Sequence, residues 1–127
     1  MIVVDSSALI AIIDDEPGRE ACVAALANET DVVVSAGTLA EASIVASGRR
    51  MEKALEAIVD ELELIEFPVT FEVAREIGAA YRRWGKGFHR AKLNFGDCFA
   101  YVTAKNLDAS LLFIGDDFSQ TDIRSVL

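Results

Sequence analysis

Short apolar runs alternate along this chain with longer segments in which apolar residues recur every three or four positions. Val3 and Val4 open a first strand, and Ala8, Leu9, Ile12 and Ile13 then mark one face of a helix that breaks at Asp14 and Asp15. Pro17 suits the first turn of a second helix, expected to run to about Asn28. Val32 to Val34 is a β-branched run of the kind buried parallel strands use. A helix around Leu39 to Ser47 is closed by Gly48, and another shows Ala54, Leu55, Ile58 and Leu62 on one face. Leu64 to Phe67 reads as a strand stopped by Pro68, and Val73, Ile77, Tyr81 and Trp84 as a helical stripe ended by Gly85. A basic, irregular stretch from Gly85 to Lys92 follows. Asn94 is a good N-cap for a helix to Asn106, and Leu111 to Ile114 is the last apolar strand. This alternation predicts an α/β fold of three layers, a mostly parallel central sheet flanked by helices, in a single domain over residues 1–127.

The acids stand out against that pattern. Asp5 ends the first strand, Glu41 follows the second by half a dozen residues, Asp97 sits where a helix starts, and Asp116 and Asp117 close the last strand. In open α/β sheets, sites form outside the carboxyl ends of the strands, so these distant acids are expected to meet at one edge. Each also has a plain structural explanation. Asp5 and Asp97 are suited to helix N-termini, Glu41 to a capping box with Thr38, and Asp116 to a turn. Four separate caps, however, have no need to fall so regularly just past apolar strands. A site for Mg²⁺ or Mn²⁺ does need that arrangement, because hard cations prefer oxygen ligands.

Composition and charge narrow the chemistry. The chain of 127 residues is 52% hydrophobic, enough for a real core, and carries a net charge of −9. That charge argues against nucleic-acid binding by bulk electrostatics, although Arg82, Arg83, Lys86, His89, Arg90 and Lys92 form a basic stretch free of acids, and Arg49, Arg50 and Lys53 a smaller one. Carboxylate-held metal would also change the sign of the field a phosphate meets. No apolar stretch approaches the roughly 18 residues of a membrane span, and the apolar start is short and lacks the basic flank of a signal peptide. No membrane association and a cytoplasmic location are therefore expected. Cys22 and Cys98 read as buried free thiols. One histidine and two distant cysteines make no zinc site, and neither a phosphate-binding glycine loop nor a nucleophile elbow occurs. His89 reads as a surface or phosphate-facing residue.

Four segments together resemble a known family. Val3-Val-Asp5-Ser-Ser-Ala-Leu9, Ser35-Ala-Gly-Thr-Leu-Ala-Glu41-Ala-Ser43, Leu93-Asn-Phe-Gly-Asp97-Cys-Phe-Ala-Tyr101 and Leu111-Leu-Phe-Ile-Gly-Asp-Asp-Phe118 are similar, in order and spacing, to the acidic motifs of PIN-domain ribonucleases. More narrowly they resemble VapC-type toxins of toxin–antitoxin pairs. The third segment is the most specific. The resemblance implies a PIN-like fold and assigns Asp5, Glu41 and Asp97 as the first three carboxylates, with the hydroxyl of Ser6 or Ser7 supporting the first. For the fourth acid, Asp116 aligns with the acid of a Thr-x-Asp triplet whose threonine is absent here. Asp117 aligns with an Asp-Phe pair, and Asp116 is preferred over it.

The implied activity is Mg²⁺- or Mn²⁺-dependent endonucleolytic cleavage of structured RNA, of the tRNA or rRNA class, with Asp5, Asp97, Glu41 and Asp116 holding metal. Arg82, Arg83, Lys86, Arg90 and Lys92 would guide the RNA. The expected partners are a VapB-type antitoxin that masks the site, the RNA, and a second copy of the chain in a homodimer. Two other classes compete. A receiver-like phosphoacceptor would need an acid pair after its first strand and a lysine after its last; serines follow Asp5, and no lysine follows Ile114. A non-catalytic acidic interaction module would need no metal at all.

Overall fold

A computed structural model describes all 127 residues. The elements run β1 (Ile2–Val4), α1 (Ser6–Ile13), α2 (Arg19–Leu26), β2 (Val32–Ser35), α3 (Ala36–Gly48), α4 (Glu52–Glu61), β3 (Ile65–Phe67), α5 (Phe71–Trp84), α6 (Phe95–Leu107) and β4 (Ser110–Leu112). The four strands form one sheet in the order β3-β2-β1-β4, every neighbouring pair parallel. Ile2 and Val3 lie opposite Val32 and Val33 on one side and Ser110 and Leu111 on the other. The chain thus steps outward from β1 to β3 and then returns to place β4 on the free side of β1. A crevice forms at such a reversal, at the carboxyl ends of the strands.

Both faces of the sheet are covered over β1, β2 and β4, which explains their apolar runs, whereas the edge strand β3 carries Glu66 and is largely exposed. Ile2, Val4, Val32, Val34 and Leu112 point to one face and pack with Leu9 of α1, Cys22 of α2, Ala42 of α3 and Leu55 of α4. Val3, Val33 and Leu111 point to the other, against Val73 and Ile77 of α5, Cys98 and Val102 of α6, and Phe118. The strand alternation of period two thus feeds two cores. It also settles the cysteines: Cys22 and Cys98 are buried free thiols in different layers.

The three layers match the expectation from the sequence, with local differences. Pro17 lies in a turn ahead of α2 rather than in its first turn. Gly18 is the N-cap there, at φ 96, a left-handed conformation glycine adopts without strain. The helix then ends at Leu26, short of Asn28. The third helix starts earlier than Leu39, because Ser35 ends β2 and caps α3 directly, accepting a hydrogen bond from the Gly37 N–H at 3.2 Å. Glu41 therefore lies beyond the first turn and forms no capping box with Thr38. No helix is long and apolar enough to cross a membrane.

Candidate active site

Asp5 follows β1 directly and is the N-cap of α1. It is only 4% exposed, because β2 and β4 flank its strand. One carboxylate oxygen, Oδ2, accepts from the Ser7 hydroxyl at 2.6 Å and the Ser7 N–H at 3.1 Å. The other, Oδ1, is buried with no hydrogen-bond partner. A buried acceptor left unpaired costs free energy, so its retention calls for an explanation. Burial is the largest influence on this carboxyl and raises its pKa against the lowering effect of the Ser7 bonds.

Ser7 has a second duty. Its oxygen also accepts from the Ile114 N–H at 3.0 Å, tying the exit of β1 to the segment after β4. Ser6, the neighbouring hydroxyl, donates to Glu41 Oε1 at 2.6 Å and so draws the second turn of α3 to the start of α1. The serine pair thus positions two different acids.

Asp97 lies in the first turn of α6 and is 7% exposed. Asn94 and Asp97 form a reciprocal capping box: the Asp97 N–H donates to the Asn94 side chain at 2.8 Å, and the Asn94 N–H donates to Asp97 Oδ2 at 2.9 Å. The carboxyl nevertheless is pushed up to about 7, first by burial and then by the negative charges of Asp117, Asp5 and Glu41, against the lowering effect of the Asn94 N–H. Those charges show that the acids share one neighbourhood. The structural and the site readings of Asp5 and Asp97 are compatible, since each takes part in a helix cap while also lying in the acid cluster. Three helix N-termini, those of α1, α3 and α6, supply partial positive charge to this edge and soften the repulsion.

The two candidates for the fourth acid differ in the same electrostatics. Asp117 acts on Asp97, whereas Asp116, the acid favoured on sequence grounds, is not among the charges that raise it. The Asp116 carbonyl instead closes a turn, accepting from the Ser119 N–H at 3.1 Å and its hydroxyl at 2.6 Å. Both side chains are exposed. No three acidic, histidine or cysteine side chains converge tightly enough to grip a metal ion as they are set, so the expected ligand set of Asp5, Asp97, Glu41 and Asp116 is not a preformed cage.

Gly96 is a site residue that sequence reasoning missed. A β-carbon there would run into the Glu41 carboxylate, so glycine leaves the space in which Glu41 sits as placed. Gly37 does the same one layer out, where the Phe99 ring occupies the space of its β-carbon. Their only trace in the sequence is a glycine close to each acid, at Ser35-Ala-Gly37 and Phe95-Gly96-Asp97.

The basic stretch divides. Arg82 and Lys86 line a groove that also includes Asn94, the capping partner of Asp97. Arg83 instead lies over the Trp84 ring at 4.6 Å and faces a separate cleft with Lys105. Arg90 and Lys92 are exposed. His89, expected as a surface or phosphate-facing residue, has a packing role as well. It is half-buried, its ring edge-on to Trp84 at 4.8 Å, and its Nδ1 accepts from the Ala91 N–H at 3.0 Å, so it pins its own loop. In the smaller cluster, Arg49 is engaged by Asp14 at 2.6 Å and Glu16 at 3.2 Å.

A parallel sheet with an acid cluster at its carboxyl edge, built from β1, α3, α6 and the segment after β4, defines a class, and comparison with known proteins identifies it. Residues 2–124 match the PIN domain family model, and the chain belongs to that family. Within it, the chain is 38% identical over 128 residues to a protein named Ribonuclease VapC from Mycolicibacterium smegmatis, covering 98% of this chain and 99% of that one. It is 41% identical over 126 residues to Ribonuclease VapC36 of Mycobacterium tuberculosis, covering 96% and 91%. Among solved structures, Mycobacterium tuberculosis VapC20, described as a Sarcin-Ricin loop cleaving toxin, superposes with a TM-score of 0.80 at 18% identity over 97% of this chain and 96% of that one. VapBC2 from Rickettsia felis, bound to a DNA fragment from its promoter, gives 0.70 at 16% identity, over 98% and 96%.

Proposed function

We propose that this chain is a divalent-metal-dependent endoribonuclease that acts as the toxin of a VapBC-type pair and cuts structured RNA. The observation that carries the reading is the buried, unpartnered Oδ1 of Asp5 in a cluster where Asp97, Glu41 and Asp117 add further negative charge. An acceptor without a donor, among acids that repel one another, fits a cation better than it fits a closed hydrogen-bond network. The donor set is all oxygen, as Mg²⁺ or Mn²⁺ prefers.

In this reading Asp5 offers Oδ1 while Ser7 holds Oδ2, Asp97 offers a carboxylate steadied by the Asn94 N–H, and Glu41 is aimed by Ser6. Asp117 completes the set at the exposed rim, with Asp116 the weaker candidate. What a bound Mg²⁺ or Mn²⁺ supplies is acidification of a coordinated water and positive charge beside the phosphate. The protein's own share is positioning. The serines fix the acids, the helix N-termini favour the anionic backbone, and Arg82 and Lys86 give it a cationic approach. An acidic protein can thereby handle a polyanion.

The names of the relatives support the ribonuclease activity, and those of the solved neighbours support an antitoxin partner, since one is a toxin–antitoxin complex from Klebsiella pneumoniae. A VapB-type antitoxin with a basic segment would suit this pocket, because a guanidinium pairs two carboxylates through its planar fork. Pairing of two copies belongs to the same reading and is read by sedimentation. The deciding experiment is RNA sequencing of cleaved 5′ ends after controlled expression, with Asp97→Asn as the control. Discrete new ends that need Asp97 are expected. Their absence, together with no Mg²⁺- or Mn²⁺-dependent cleavage by the purified chain, would leave a non-catalytic acidic module.

A further inference from the structure

The largest feature that the acid cluster does not use is a groove of about 630 Å³ between α5 and the start of α6. Tyr81, Arg82, Lys86, Phe88, Asn94 and Phe95 are among its walls, and none of its lining residues is acidic in a chain with 21 acids. Phe88 is 62% exposed and Phe95 69%. Their exposure is structured. Phe88 meets Tyr81 edge-on at 5.9 Å, in a turn where its N–H donates to the Gly85 carbonyl and the Tyr81 hydroxyl donates to the Lys86 carbonyl. Phe95 meets Phe99 edge-on at 4.9 Å, and Phe99 is seated on Gly37. Each exposed ring is therefore braced from within.

Resting on the ribonuclease reading, we infer that this groove holds one unpaired nucleobase of the RNA beside the scissile phosphate, with Phe88 and Phe95 contacting the base and Arg82 and Lys86 the backbone. Aromatic faces with cations beside them are what single-stranded nucleic acid requires, because every base has a π-face and every nucleotide a phosphate. Bases inside an A-form duplex have no free face, so the groove selects a loop, bulge or single strand. Its place next to the chemistry follows from Asn94, which lines the groove and donates its N–H to Asp97. A second copy of the chain fits less well. A two-fold contact centred on the groove would set Arg82 and Lys86 against their own counterparts, with no acid in the lining to separate them.

The test uses the purified full chain with Mn²⁺ and a hairpin oligoribonucleotide in which an abasic nucleotide is walked through the loop. One loop position is expected at which loss of the base slows wild-type cleavage about tenfold, while Phe88→Ala and Phe95→Ala already cut the intact hairpin about tenfold slower and lose nothing more. Phe95→Trp should keep the wild-type profile. If the wild type cleaves and no position depends on these rings, the groove is not a base site and the ribonuclease reading stands. If the wild type neither cleaves the hairpins nor binds them in Ca²⁺, both readings fall together. If the alanine variants change only sedimentation and leave the abasic profile alone, the groove is a contact between copies and the inference is overturned.

Discussion

At Gly96 a β-carbon would meet the Glu41 carboxylate, the flexible end of a half-buried side chain, so Gly96→Ala should turn Glu41 aside at a stability change within about 1 kcal/mol, while slowing metal-dependent cleavage. Urea unfolding and a cleavage assay check this, and a loss of several kcal/mol would mean that Glu41 has no room to move. Asp97 makes the complementary case. The unfolded chain ionises it near 3.8, while the fold holds its proton up to about 7. Between those values the folded state binds more protons, so metal-free stability falls as pH rises from about 4 to about 7. The raised pKa of Asp5 acts in the same sense. Asp97→Asn should flatten this slope in thermal melts with EDTA, and it should leave the protein more stable than wild type at pH 8 while abolishing metal-dependent cleavage. Asp5→Asn should abolish cleavage likewise. Retained activity in either variant would refute the proposed site.

Among the elements, the junctions carry more than the elements themselves. Ser7 joins the end of β1 to the chain after β4, because one oxygen both donates to Asp5 and accepts from the Ile114 N–H. Ser7→Ala would leave both groups short of a partner and should cost about 1–3 kcal/mol, read from the urea midpoint. A loss no larger than that of an ordinary surface substitution would show that water replaces the bond. These junctions also mark what the sequence could reveal. The strands β1, β2 and β4 were legible because parallel strands covered on both faces are apolar runs, and the Asn94–Asp97 capping box was legible because its partners are three residues apart. Ser6 and Glu41 are 35 residues apart, and Ser7 and Ile114 are 107 apart. No local rule connects such positions. Asp116 and Asp117 stayed close in the sequence because the threonine of the motif is missing, and direction in a turn depends on backbone geometry that composition does not encode. The contact of His89 with Trp84 was not legible, because a charged neighbourhood in sequence says nothing about which ring packs edge-on against it.

Across the whole molecule the clearest separation of charge lies at the site, with acids at the carboxyl edge of the sheet and Arg82 and Lys86 on the groove beside them. Replacing Arg82, Lys86 and Arg90 together should weaken RNA binding and flatten its dependence on salt, since fewer phosphates are then neutralised and fewer counterions are released. Metal binding should survive. Adding Arg83 to the set should cost stability more than affinity, because that side chain covers Trp84. An unchanged salt slope in the triple variant would move the RNA path elsewhere. The strand order has a further meaning for how such a protein is made. Asp5 is synthesised more than a hundred residues ahead of β4, yet its N–H is held by the Leu112 carbonyl and its carboxylate by a serine that leans on Ile114. Pairing β1 with β4 closes a loop of most of the chain, an encounter of high sequence separation that forms slowly. A ribosome halted anywhere before β4, or a nonsense mutation there, therefore leaves Asp5 without the partners that hold it. The acid edge is completed by the last strand to arrive, so most of the message is translated before the pocket exists.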